Sequence, residues 1–263
     1  MATLVTFHAP PDDESIAMGG VMAKASDEGH RVVLVVATKG EHGEVAEGFL
    51  EPGEPLWERR VKETEACAEI LGVVRVEFLG YVDSGMMGTP ENDLPESFWR
   101  ADVEEAAARL AAILTEEKAD GLTIYDENGQ YGHPDHIQVY RVGARAAELA
   151  GTPRVYMNTI NRDYVQRALR EAAERGQVPG DINPDDMAEL GVPEERITTA
   201  VDVRPWLALK RAAMAAHASQ ISETSFFLSM APAMFEEGFG QEWVIRCNAE
   251  PGLVETDLFD GLG

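Results

Sequence analysis

With 263 residues, the chain is long enough for one α/β domain whose central sheet is covered on both faces, and no linker-like stretch divides it. Its 22 Lys and Arg against 47 Asp and Glu leave a formal charge of −25, which excludes roles that depend on nucleic-acid phosphates or anionic lipid surfaces. The acidity itself reads as a solvated surface and names no partner.

The N-terminus, MATLVTFHAPPDDES, lacks a basic leader region, and no stretch reaches the roughly 18 apolar residues that span a bilayer, so a cytoplasmic protein is expected. Residues 3–8 are a β-rich run ended by Pro10-Pro11, and the periodic stretch 16–26 predicts a helix. Residues 31–37 (RVVLVVA) predict a strand buried on both faces, followed by the glycine-containing loop TKGEHGE. The alternation continues with a helix at 58–71 stopped by Gly72, a strand at 73–79, a helix at 103–118 and a strand at 121–125. Such a succession predicts right-handed βαβ units and a Rossmann-like, mainly parallel sheet flanked by helices. Farther along, helices are expected at 136–149 and 161–175 with a strand at 154–158 between them. The segment 176–195, rich in Pro, Gly, Asp and Glu, reads as an exposed loop or flap. An edge strand at 199–203 and a long last helix at 206–221 follow. The tail holding Phe226, Phe227, Met230, Met234, Phe235, Phe239 and Trp243 is too apolar to be unstructured, and is expected to pack on the domain or on a second copy of the chain. Cys67 and Cys247 form no CxxC pair and read as buried or free thiols.

In an open parallel sheet, functional loops gather at the carboxyl ends of the strands, near the point where strand order reverses. Three loops that fit this rule, 9–15, 39–47 and 126–136, are rich in His, Asp and Glu. The first carries Pro11-Asp12-Asp13-Glu14. Any single acid there serves as a helix cap. Three in a row repel one another, which calls for a cation or a proton among them. The last loop carries His133-Pro134-Asp135-His136, with two of the six histidines in the chain. A lone histidine is usually structural. Two histidines three apart, with a proline fixing the backbone and an aspartate able to bond an imidazole, suit one metal ligand and one proton-handling ring. Oxygen and imidazole donors without thiolate suit zinc or a similar ion with an open position.

The pairing of PDDE with HPDH resembles the LmbE-like (PIG-L) zinc N-deacetylases, and YDENGQYGHPDH looks like their actinobacterial, mycothiol-pathway branch. GEHGE, Arg60-x-x-Glu63, Tyr81-x-Asp83-Ser84-Gly85-Met86, Lys210 and His217-x-Ser219-Gln220 extend the resemblance over most of the chain. It implies a metal-dependent hydrolase that cleaves the amide of an N-acetyl or other N-acyl amino sugar, or of a related small conjugate. Asp13 and His136 then match metal ligands, and Asp12 matches the general base. His133 matches the residue that stabilises the tetrahedral intermediate or protonates the leaving amine, with Asp135 orienting it. Tyr131 matches a mobile phenol near the oxyanion, and Glu44, Arg60 and Asp83 sit where relatives contact the sugar or hold the pocket.

One position departs from the pattern. Relatives of this branch read His-Ala-His-Pro-Asp-Asp-Glu and use the second His as the third metal ligand, whereas this chain reads His8-Ala9-Pro10-Pro11-Asp12-Asp13-Glu14. Pro10 offers no donor. On a strand, His8 would lie about 6.6 Å from position 10, and His42 has no better claim. Loss of a ligand weakens an ion by at least the roughly 10- to 100-fold that loss of a supporting residue costs. Two readings stand: a hydrolase whose metal is held by Asp13, His136 and water, and a non-catalytic member that binds a sugar-like ligand. A metal-free hydrolase using Asp12 and His133 has less support, since no Ser or Cys nucleophile accompanies them. His30 and His217 read as a turn residue before a strand and a helix-face residue near the site.

Overall fold

The β-branched runs become the strands expected of them. In the computed structural model, which describes residues 1–174 and 190–260, the strands are β1 (Thr3–His8), β2 (Arg31–Val36), β3 (Arg75–Phe78), β4 (Gly121–Tyr125), β5 (Arg154–Thr159), β6 (Thr199–Asp202) and β7 (Gln241–Arg246). They form one sheet in the order β3-β2-β1-β4-β5-β7-β6, with β1 to β5 parallel and β7 antiparallel to both its neighbours. The chain steps outward from β1 to β3 and then returns to lay β4 on the other side of β1. The connections after β1 and β4 therefore leave in opposite directions and open a crevice at their carboxyl ends.

The helices are α1 (Asp13–Ala17), α2 (Gly19–Asp27), α3 (Leu56–Leu71), α4 (Val103–Glu117), the single turn α5 (Gly129–Gly132), α6 (Pro134–Ala150), α7 (Arg162–Glu174), α8 (Leu207–Ala216), α9 (Phe226–Ser229) and α10 (Pro232–Phe239). Alternate strand side chains feed two cores. Val5, Phe7, Val33, Val35, Leu122 and Ile124 pack with Leu110, Leu114, Val139 and Val142 of α4 and α6. Leu4, Val32, Val201 and Val244 pack on the opposite face, with Met22, Cys67, Leu71 and Ala213 of α2, α3 and α8. Among the described residues, no helix is long and apolar enough to cross a membrane.

The first core leaves no slack where α6 crosses β4. A methyl group placed on Gly143 would run into Ile124 Cγ2, a branched side chain on a buried strand. An exposed helical glycine gains about 1 kcal/mol on becoming alanine. Here overpacking of about 1–3 kcal/mol opposes that gain, so Gly143→Ala is expected to lower stability in urea by up to about 2 kcal/mol. A midpoint above that of the parent chain would refute this close approach.

Three expectations change. The helix expected at 16–26 is two helices broken at Met18. The break lets the N–H groups of Gly20 and Val21 donate to the buried Glu242 carboxylate at 2.7 and 2.8 Å. The last helix, expected to reach residue 221, stops at Ala216 because His217 turns inward to Glu14 and Ser219 bonds the Glu63 carboxylate through both N–H and Oγ. The tail does pack on the rest of the chain, with Phe235 buried, but it also supplies β7, a strand inside the sheet. The edge strand expected at 199–203 is β6, at the sheet margin. Of the loop expected at 176–195, residues 176–189 lie outside the described residues.

Candidate active site

The crevice beyond β1 and β4 holds a cavity of about 520 Å³ lined by Pro10, Asp12, Asp13, His42, Glu44, Arg60, Asp83, Tyr131 and His133, among others. The topology thus brings together the acidic loop after β1, the GEHGE loop after β2 and the histidine loop after β4.

The three consecutive acids diverge, and each meets its own cationic or imidazole partner. Asp12 Oδ1 accepts from Arg60 Nη2 at 3.0 Å, Asp13 Oδ2 faces His136 Nε2 at 2.8 Å, and Glu14 Oε1 faces His217 Nε2 at 2.6 Å. Their mutual repulsion is thereby offset residue by residue. The divergence needs an unusual backbone. Asp12 has φ 94°, a conformation non-glycine residues avoid. It is held by its N–H donating to Glu14 Oε2 at 2.8 Å and by its carbonyl accepting from Ser15 Oγ at 2.7 Å.

Electrostatics set different protonation states on neighbouring groups. Burial pushes the Asp12 carboxyl up to about 7, with Arg60 pulling the other way, so a carboxylate poised near neutrality faces the cavity. Burial pushes His133 down to about 4, helped by the adjacent His136. Burial alone would lower His136 too, but the Asp13 carboxylate overcomes it and holds that imidazole above its ordinary value. Behind the cavity, His217 overcomes the effect of burial on Glu14 and holds its carboxyl at about 2.

Asp135 does not orient His133 through its carboxylate, as the sequence had suggested. That carboxylate is taken by Ser84, through N–H at 3.0 Å and Oγ. His133 Nδ1 instead accepts the main-chain N–H of Asp135 at 3.1 Å, capping α6. This leaves Nε2 to carry the ring hydrogen of the neutral imidazole. Arg60, placed where relatives contact the sugar or hold the pocket, is only 2 % exposed and spends its guanidinium on Gly40 O, Pro11 O and Asp12, so of the two it holds the pocket. Asp83 is buried and receives the N–H of Gly85 at 2.8 Å. Glu44 and the half-exposed Tyr131 stand on the cavity wall, the Tyr131 ring 5.1 Å from that of His136.

His8 does not replace the missing donor at position 10. It is fully buried, its Nδ1 bonds the Tyr125 hydroxyl at 3.0 Å, and the Tyr125 ring stacks on His136 at 4.1 Å, so it buttresses a ligand candidate from behind. His42 is exposed at the rim, and His30 stacks on Phe259 far from the cavity. Among the described residues, no third His, Cys, Asp or Glu donor lies within 4.8 Å of both Asp13 and His136; the set of three that does converge within that distance is Glu14, Cys67 and His217, all buried and none lining the cavity. Asp13 and His136 could hold a divalent ion only with water completing its shell, one protein ligand short of the usual catalytic zinc site. Sequence reasoning missed the inward turn of His217; the motif that holds it, His217-x-Ser219-Gln220, was visible but carried no role.

A mainly parallel sheet with carboxylates and imidazoles gathered at its switch point is a Rossmann-like α/β frame, and similarity to known proteins narrows it. Residues 5–147 match the PIG-L family, described as GlcNAc-PI de-N-acetylase. The 1D-myo-inositol 2-acetamido-2-deoxy-alpha-D-glucopyranoside deacetylase of Geodermatophilus obscurus is 38% identical over 286 residues, covering 98% of this chain and 97% of that protein. The protein of the same name from Streptomyces avermitilis is 40% identical over 284 residues, covering 98% and 97%. In fold, the chain is similar to N,N'-diacetylchitobiose deacetylase from Pyrococcus horikoshii, with a TM-score of 0.57, 24% identity, and coverage of 99% and 86%. The chain belongs to the PIG-L family.

Proposed function

We propose that the chain hydrolyses the acetamide of an N-acetylglucosamine unit in a small glycoside, an inositol glycoside being the form named for its relatives. The observation that carries this reading is Asp12, whose carboxylate, held by Arg60 at 3.0 Å, lines a cavity it shares with Asp13, Tyr131 and His133. Asp12 takes a proton from the water that adds to the acetyl carbon. The neutral His133 donates its Nε2–H to the oxygen that gains charge. The C–N bond then breaks, the proton held by Asp12 passes to the leaving nitrogen, and acetate and a free amine result. Asp83 and Glu44 are the wall groups available to sugar hydroxyls, while Arg60 keeps Asp12 aimed.

Asp13 and His136 are the residues that would hold a divalent ion, in our reading zinc. Such an ion supplies charge to polarise the carbonyl and lowers the pKa of water. A second reading, a member that binds the glycoside without turnover, is favoured by Pro10, which removes a donor from the cavity wall. The two separate in one experiment: the protein is incubated with an N-acetylglucosaminyl inositol, with added zinc or with chelator, while acetate and free amine are measured. Equimolar release of both products that chelator abolishes is the expected result. Saturable binding without acetate under either condition would instead support the second reading.

A further inference from the structure

The pairing of His217 with Glu14 has no part in binding a substrate, since neither lines the cavity. Both side chains are fully buried. Glu14 uses its two oxygens in opposite directions: Oε1 faces His217 Nε2 at 2.6 Å, and Oε2 accepts the main-chain N–H of Asp12 at 2.8 Å. Asp12 is the residue whose φ of 94° calls for an external restraint. The imidazole is itself fixed. It ends α8, two residues before Ser219 locks onto Glu63 of α3 through N–H at 2.9 Å and Oγ at 2.6 Å. Lys210 of α8 donates to the Ile16 carbonyl at 2.7 Å, so α8 and the histidine that ends it hold α1 at two places.

From this geometry we infer that His217 is a positioning residue for Asp12: by fixing the rotation of Glu14 it holds the Asp12 main chain in its left-handed conformation, so that the carboxylate enters the cavity at a set angle. Arg60 steers the side chain from α3, and His217 steers the backbone from α8. The acidic turn is thus supported by a histidine about two hundred residues later in the chain. The inference rests on the deacetylase reading only where turnover is concerned.

The test compares His217→Ala, His217→Gln, whose amide can still donate to Glu14, and the bulk-preserving His217→Phe. The first readout is the Asp12 amide in nitrogen–proton NMR spectra. Hydrogen-bonded to a carboxylate, it should resonate downfield and exchange slowly in the parent and in the Gln variant. In the Ala and Phe variants it should move upfield and exchange at least about tenfold faster, whereas an amide unchanged in all three overturns the inference. The second readout is acetate release. We expect kcat to fall about 10- to 100-fold in Ala and Phe, as for other supporting residues, with KM within about twofold and Gln recovering most of the loss. Equal kcat in all four proteins, or a loss in Gln as deep as in Ala, also overturns it. If the parent releases no acetate, the deacetylase reading fails and the Asp12 amide still decides the positioning role.

Discussion

Asp12→Asn is expected to reduce kcat by about 10²- to 10⁴-fold, the range for removal of a general base, with KM changed less than about twofold. Asn keeps the size of the side chain and can still accept from Arg60 through its carbonyl oxygen. What it cannot do is take the proton of the attacking water, so the loss falls on turnover. Folding should respond in the other direction. Burial raises the folded carboxyl to about 7 from the ordinary 3.8, so the unfolded chain releases that proton at lower pH than the folded one. Ionisation of Asp12 therefore works against the fold progressively as pH rises from about 4 through 7. An Asn that cannot ionise should leave the urea midpoint at pH 8 equal to the parent's or higher. Activity and stability moving in opposite directions is the pattern of a site that stores an unfavourable charge for use. A variant that kept more than about a third of the parent's kcat would remove Asp12 from the reaction.

The same residue shows how far the sequence could be read. β1 and β2 were legible because TLVTFH and RVVLVV are runs with no competing helical period, and β4 because GLTIY lies between a helix and the acidic turn. The order of loops along the chain then placed Asp12, Asp13, His133 and His136 at one edge. What was not legible depends on partners far away in sequence. The break at Met18 exists for Glu242, whose position in β7 was hidden in an aromatic tail. The inward turn of His217 is set by Glu14 and by Glu63, neither of which marks itself as its partner. Asp135 looked like an orienting carboxylate because it stands between two histidines, yet Ser84, from the β3 side of the sheet, claims it. The repulsion among three adjacent acids called for a cation or a proton among them. The structure also gives each acid its own partner, Arg60, His136 or His217, which local spacing cannot reveal.

Pro10→His is expected to raise the affinity for zinc by at least about 10- to 100-fold, read as the chelator concentration needed to strip the ion and as the zinc retained per chain after desalting. The reasoning starts from what is already in place. Asp13 and His136 meet at 2.8 Å, and position 10 lies on the wall of the same cavity. An imidazole there would be the third nitrogen or oxygen donor that catalytic zinc sites use. Binding has to displace the direct Asp13–His136 contact, and a third donor offsets that loss. The effect on turnover separates the two readings of the parent chain. If the parent is a hydrolase with a weakly held ion, the variant should reach full activity at much lower zinc, with a similar rate once saturated. If the parent only binds its glycoside, the variant should begin to release acetate where the parent does not. Unchanged zinc affinity would mean that the acidic turn no longer presents position 10 to the Asp13–His136 pair, and that the pair is a closed carboxylate–imidazole contact in its own right.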